Sequence, residues 1–257
     1  MAMKDTQTRH VKTTGTVFQI VETIQELGGA SLADLSRELD LAKSTIHDHL
    51  STLESEEYVL QEGQEYTLGL KFLHHGMFAK NQLDVSHVGQ PVIEDLAEKT
   101  QAGTWIVVEE NGRAVPLNKA MGEKGLTTHI TVGSRSHLNH LASGKLIMAY
   151  LPDEQFEAII DRHGLPKKTS NTITDVDELR KELDEIREQG VAINDREAAK
   201  GVRSIAAPIL NEGEFVGAVC VSGPANRMTK ERCYEDIKPL LLEATNEIEL
   251  KLQYPKR

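Results

Sequence analysis

Residues 31–69, SLADLSRELDLAKSTIHDHLSTLESEEYVLQEGQEYTLG, constrain this chain most, because two helical periods and a strand period follow one another there without a gap. Ser31 stands where a helix N-cap belongs, with Asp34 three residues on as its acidic partner. Leu32, Leu35 and Leu39 then make one apolar face. The LDLA segment breaks the period. Ser44 and Thr45 are expected to cap a second helix, in which Ile46, Leu50 and Leu53 form the buried stripe. Lys43, Thr45, His47, Asp48 and His49 fall on the other side. Beyond Glu57 the period drops to two, and Gly63 with Gln64 make a two-residue turn between short strands. Upstream, GTVFQIVETIQELGG supplies a further helix, with Val17, Ile20, Val21, Ile24 and Leu27 expected to face inward and Gly28 and Gly29 to end it. Three helices and a ribbon in this order predict a winged helix-turn-helix, whose last helix fits the major groove of DNA.

The 257 residues leave room for a second domain with its own core. No apolar run reaches membrane-spanning length and no signal-peptide pattern opens the chain, so no membrane partner and a cytoplasmic location are expected. Cys220 and Cys233 lack metal-ligand spacing and read as reduced thiols. Charge runs against the DNA reading. The net charge is −11, and residues 1–80 hold seven Lys or Arg against twelve Asp or Glu. A DNA-binding module ordinarily carries a basic footprint. At molar salt the Debye length falls to about 3 Å and phosphate no longer repels such a surface. A salt-rich cytoplasm, as in a haloarchaeon, is the expectation that follows.

Residues 70–80, LKFLHHGMFAK, predict a helix leaving the wing that is too apolar for a solvated linker, and so a connector that helps pair two chains; packing on its own domain is the alternative. Residues 83–101 predict an amphipathic helix that Pro91 starts or kinks. TWIVVEE and RAVPLNKA flank Asn111-Gly112, a hairpin signal. Helices are expected from Ser143, over PDEQFEAIIDRHG, and over TDVDELRKELDEIREQG with Thr174 as cap and Gly190 as stop. GVAIND, RSIAAPIL and EFVGAVCVSGP predict strands, and TKERCYEDIKPLLLEATNEIELKLQ one long closing helix. An antiparallel sheet flanked by helices is an α+β layout suited to sensing a small molecule.

At this level of detail the chain resembles the IclR family of transcriptional regulators. GVRSIAAPILNEGEFVGAVCVSGPANRMT is similar to that family's C-terminal signature, LNHLASGKLIMAYLP to its central helix, and SLADLSRELDLAKSTIHDHLSTLESEEYV to its winged helix. The motifs fall in the family's order from about residue 11 to 252. The resemblance implies a multi-domain α+β chain: a winged helix-turn-helix at 1–69, a linker helix at 70–82 and a GAF-like effector-binding domain at 83–257. It also implies a homodimer or dimer of dimers on a near-palindromic double-stranded DNA operator. The effector it implies is a small organic acid, aromatic acid or sugar-derived metabolite, with no cofactor and no enzymatic activity.

By motif, Ala142, Ser143 and Gly144 take helix-start positions of the family's effector cup, and Ser204, Cys220 and Ser222 the strand positions. Asn194 stands where some relatives carry an aspartate, Cys220 where serine is usual, and Asp48 where many recognition helices carry arginine. The residues agree: a helix start offers free N–H groups to an anion, and Cys220 and Ser222 share one face of a strand. Small residues packed on a helix give the same pattern, and the resemblance favours the pocket. DNA contacts are expected from Lys43, Ser44, Thr45, His47 and His49, with Gly63 and Gln64 of the wing against the backbone and Lys12 and Arg9 of the N-terminal arm reaching phosphate or the minor groove. His129, His137 and His140 lie close together but match no zinc spacing, so no metal site is assigned. The SGK at 143–145 lacks P-loop spacing, and no third partner joins His140 and Ser143 to make a nucleophile.

Overall fold

The computed structural model describes residues 11–125 and 130–254. Arg9 and His129 lie outside the described residues. The chain divides into two compact units, Met1–Ala79 and Lys80–Arg257.

The first unit begins with α1 (Lys12–Leu27), which ends at Gly28 with φ 74°. A short strand β1 (Ala30–Ser31) leads into α2 (Leu32–Leu39). Its start is a complete capping box, in which Ser31 Oγ accepts from the Asp34 N–H and Asp34 Oδ2 accepts from the Ser31 N–H. Helix α3 (Lys43–Ser55) follows, then β2 (Val59–Glu62) and β3 (Glu65–Leu68), with β1 pairing on β3. Ile20, Ile24, Leu35, Ile46, Leu50, Val59 and Tyr66 close one core. Leu27, expected inside, is 49% exposed, because the αL turn at Gly28 ends the helix before its last apolar position reaches the core. Ser44 and Thr45 do not cap α3. Ala42 holds the extended N-cap conformation, and both polar residues lie inside the first turn.

Helix α4 (Lys71–Asn81) runs across the division between the units. Tyr58 meets its first turns, with its ring tilted against Phe72 and its hydroxyl in a hydrogen bond with His75 Nε2 at 2.8 Å. The helix nonetheless buries no residue, and Leu73, Met77 and Phe78 are exposed.

In the second unit, α5 (Asp84–Thr100) precedes the hairpin β4 (Gly103–Glu110) and β5 (Arg113–Met121). Pro91 lies within α5, neither starting nor ending it. Helices α6 (Ala142–Tyr150), α7 (Asp153–His163) and α8 (Val176–Gln189) come next, followed by β6 (Ala192–Asp195), β7 (Val202–Asn211) and β8 (Glu214–Pro224). The cap of α8 is Asp175, one residue past Thr174, and Gly190 ends the helix as expected. The closing segment is not one α-helix. A short α9 (Lys230–Arg232) passes through a π turn at Cys233–Ile237 into α10 (Lys238–Gln253).

The five strands form an antiparallel sheet in the order β5-β4-β8-β7-β6. Helices α5 and α10 cover one face over Ile106, Ile205, Val219 and Val221. Helix α6 covers the other over Trp105, Ala206, Ala218 and Cys220. Both faces are buried, which is why these strands read as apolar runs.

Candidate functional site

On the α6 side, strand register brings distant residues into rows. Asn194 pairs with Ser204 and Ser204 with Ser222, so a polar row crosses three strands and ends against Gly103 on β4. Two residues along, Ala192, Ala206, Cys220 and Trp105 make the next row on the same face. The start of α6 lies over these rows. Its N-cap, Leu141, supplies no side-chain hydrogen bond, so the first N–H groups of the helix are free of a side-chain cap. The cavity is about 60 Å³ and is lined by Ala142, Ser143, Asn194, Ser204, Cys220 and Ser222, with Trp105, Ser136 and Leu141 among the others. That is room for about two waters.

The described lining of the site is uncharged. Among the described residues, no lining residue is a Lys, Arg, Asp or Glu. Desolvation by burial pushes the Cys220 thiol up to about 12, against a smaller opposing pull from the Ser204 hydroxyl and the Ser143 backbone. Cys220 is therefore a neutral packing group and not a nucleophile. Asn194 Nδ2 donates to the His140 carbonyl at 2.8 Å and its Oδ1 accepts from the Glu197 N–H at 2.8 Å. Its amide thus ties β6 to the loop before α6. Trp105 Nε1 is buried and has no hydrogen-bond partner among the described residues.

Six of the seven expected cup residues meet at this cavity. Gly144 does not. A Cβ there would lie 2.1 Å from the Leu138 carbonyl oxygen, so this glycine serves close packing of α6 on the preceding loop. Sequence reasoning missed Trp105, Ser136 and Leu141; TWIVVEE is an apolar run with no alternation to mark a face, and only the pairing of Trp105 with Cys220 places Trp105 at the cavity.

His137 and His140 have ring centroids 6.4 Å apart, and His163, not singled out from sequence, is 6.2 Å from His137. Burial is the largest cause lowering both His137 and His140, the latter to about 4, and nearby cations add to it. Among the described residues no three potential ligands are grouped to hold a metal ion.

In the first unit, α3 turns Ile46, Leu50 and Leu53 inward and leaves Lys43, Ser44, Thr45 and His47 exposed. His49 is half-buried, nearer the core side than expected. Gly63 and Gln64 are exposed at the wing turn, where Gly63 has φ 64°. Lys12 is exposed at the start of α1. Asp48 is also exposed on α3, close to His47.

A winged helix-turn-helix in one unit and a helix-covered sheet with a small uncharged cavity in the other define a DNA-binding regulator with an effector domain. The comparisons with known proteins agree with that class. Residues 77–250 match the family described as "Bacterial transcriptional regulator IclR C-terminal", and residues 17–63 match "IclR helix-turn-helix domain". The chain belongs to the IclR family of transcriptional regulators. It is 35% identical over 257 residues, 98% of each chain, to a Halobacterium salinarum protein named "Probable HTH-type transcriptional regulator ArcR". Its fold is similar to Thermotoga maritima IclR, with TM-score 0.79, 27% identity, and 95% of this chain and 100% of that one covered. It is also similar to an IclR homologue from Microbacterium hydrocarbonoxydans complexed with 4-hydroxybenzoate, with TM-score 0.81, 20% identity, and 94% and 99% covered. No helix among the described residues is long and apolar enough to cross a membrane.

Proposed function

We propose that this regulator controls metabolic genes in response to a small organic acid held at the α6 cavity. The observation that carries the reading is the polar row Asn194, Ser204 and Ser222 lying beneath a helix start without a side-chain cap, beside an indole N–H that lacks a partner. A carboxylate there would be held by helix N–H groups and hydroxyls, with the helix dipole in place of a cation. The cavity's size favours a short acid. An aromatic acid, such as the 4-hydroxybenzoate of the Microbacterium homologue, would need α6 to move outward. Calorimetric titration of the intact chain with a panel of two- to four-carbon and aromatic acids tests this. One acid is expected to bind saturably, and Ser222→Leu, which fills the cavity, is expected to abolish its binding while sparing DNA affinity. Unchanged binding in that variant would refute the site.

The DNA-reading surface of this proposal is the exposed face of α3, with Lys43, Ser44, Thr45 and His47 toward base edges, His49 beside them, and Gly63, Gln64 and Lys12 toward phosphate. Residues 1–69 act as the DNA-binding domain, 70–82 as the connector and 83–257 as the effector domain. The exposed Leu73, Met77 and Phe78 of α4 support a homodimer, or a dimer of dimers, on a near-palindromic operator in the cytoplasm. A chain that sediments as a monomer at micromolar concentration would overturn that assembly. The acidic balance and the Halobacterium relative support function at high salt. Operator affinity that peaks at low ionic strength would count against it.

A further inference from the structure

A larger cleft of about 550 Å³ opens beside α8, apart from the effector cavity. Glu178, Glu182 and Glu185 come to it from α8, and Glu197 from the end of β6. Asp195 also lines it but is already paired with Arg203 at 2.6 Å and with Lys230 at 3.5 Å. With Asp195 balanced by Arg203, four carboxylates remain against two ammonium groups of the lining, those of Lys145 and Lys230. Lys145 is 1% exposed and is held by Glu182 Oε1 at 2.7 Å and Glu197 Oε1 at 2.8 Å.

Two features show that this is more than a solvated acidic face. Glu197 is only 5% exposed, and while its Oε1 takes the Lys145 ammonium and the Asp195 N–H, its Oε2 has no hydrogen-bond partner among the described residues. A buried carboxylate oxygen with no donor is costly and calls for one. Tyr234 is the second feature. The π turn at Cys233–Ile237 carries its ring into the lining, and its hydroxyl donates to Gln189 Oε1 at 2.9 Å. The ring already attracts a cation, the Lys238 ammonium at 5.9 Å from its centroid, and an aromatic ring beside carboxylates suits an organic cation in the same way. A bare metal ion suits the cleft less well, since no three ligands among the described residues converge.

We propose that this cleft is a second ligand site, which binds an organic cation bearing one or more ammonium groups, as in a diamine or polyamine. The site stands on its own residues and does not depend on the effector reading. Asn194 is a wall of the effector cavity and accepts from the Glu197 N–H, so the two sites share one hydrogen bond.

The test is calorimetric titration of the intact chain with putrescine and spermidine at fixed high ionic strength, with magnesium chloride and extra potassium chloride as matched controls. Saturable binding of spermidine, absent for both salts, is expected. Glu178 and Glu185 hold no ion pair among the described residues, so Glu178→Gln with Glu185→Gln should fold normally; affinity is expected to fall at least about fivefold, the scale of a partly exposed charge pair. Tyr234→Ala should weaken binding as well, and Ser222→Leu should leave it unchanged. No saturable heat, equal heat from either salt, or undiminished affinity in the Glu178/Glu185 double variant would each overturn the proposal.

Discussion

Replacing Lys145 by Met tests the electrostatics of the second unit most directly. The Lys145 ammonium is buried and bonded to Glu197 at 2.8 Å and Glu182 at 2.7 Å. Met keeps the stem volume and removes the charge, leaving Glu197 buried without a counter-charge. Breaking one side of a buried pair costs about 3–5 kcal/mol. For a unit of this size each kcal/mol moves the melting temperature by roughly 2–4 °C, so a fall of about 6–20 °C is expected. Adding Glu197→Gln should restore most of it, because the orphaned charge is gone. The pH dependence supplies an independent check. Burial raises the Glu197 carboxyl above its ordinary value and the Lys145 ammonium pulls it back. A raised carboxyl means the native state holds more protons than the unfolded chain, so stability falls as pH rises from the ordinary carboxylate range through the folded value. Without Lys145 the folded value rises further and the loss extends to higher pH. The deficit of the variant should therefore be larger at pH 8 than at pH 5. Thermal unfolding followed by circular dichroism at both pH values decides it. A shift under about 2 °C, which is less than 1 kcal/mol, or a deficit equal at both pH values, would refute the reasoning.

Thr45→Ala combined with His47→Ala is expected to abolish operator binding in a fluorescence-anisotropy titration while leaving the melting curve in place, since both side chains are exposed on α3. Retained affinity would remove α3 from the DNA contact. Gly144→Ala should lower stability by about 1–3 kcal/mol, because the new Cβ meets the Leu138 carbonyl oxygen at 2.1 Å and a backbone atom cannot rotate away. A melting temperature equal to the parent's would show that the loop before α6 yields freely.

The first unit was legible because its signals are local. The Ser31–Asp34 box, the stripe Ile46, Leu50 and Leu53 and the Gly63 turn each need only a few neighbouring residues. Its misreadings are end effects: Ala42 caps α3 in place of Ser44 or Thr45, and Leu27 falls past the last turn that packs. The cavity was legible only where a family motif marked it. Trp105 reaches it through pairing with Cys220 more than a hundred residues away, and nothing in TWIVVEE fixes that register. Lys145 carried a signal that went unused. A lysine followed by Leu146, Ile147 and Met148 in an otherwise apolar helix must find acids, and Glu182 and Glu197 are those acids.

The same logic makes Asn194 the most informative position on the wall of the effector cavity. From sequence it stands where some relatives carry an aspartate. In the structure its amide does two backbone jobs at once: Nδ2 donates to the His140 carbonyl and Oδ1 accepts from the Glu197 N–H. An aspartate can do only the second. Asn194→Asp would set a carboxylate oxygen against the His140 carbonyl in a site that is 1% exposed. The loss of one buried hydrogen bond and the burial of an unpaired charge together predict a cost of about 2–4 kcal/mol at neutral pH. Burial would raise the new carboxyl, and once protonated it could donate to the His140 carbonyl, so the cost should shrink as pH falls. Unfolding curves of this variant at pH 5 and pH 8 measure that difference directly. If Asn194→Asp were as stable as the parent at pH 8, the amide would not be bracing β6 to the start of α6.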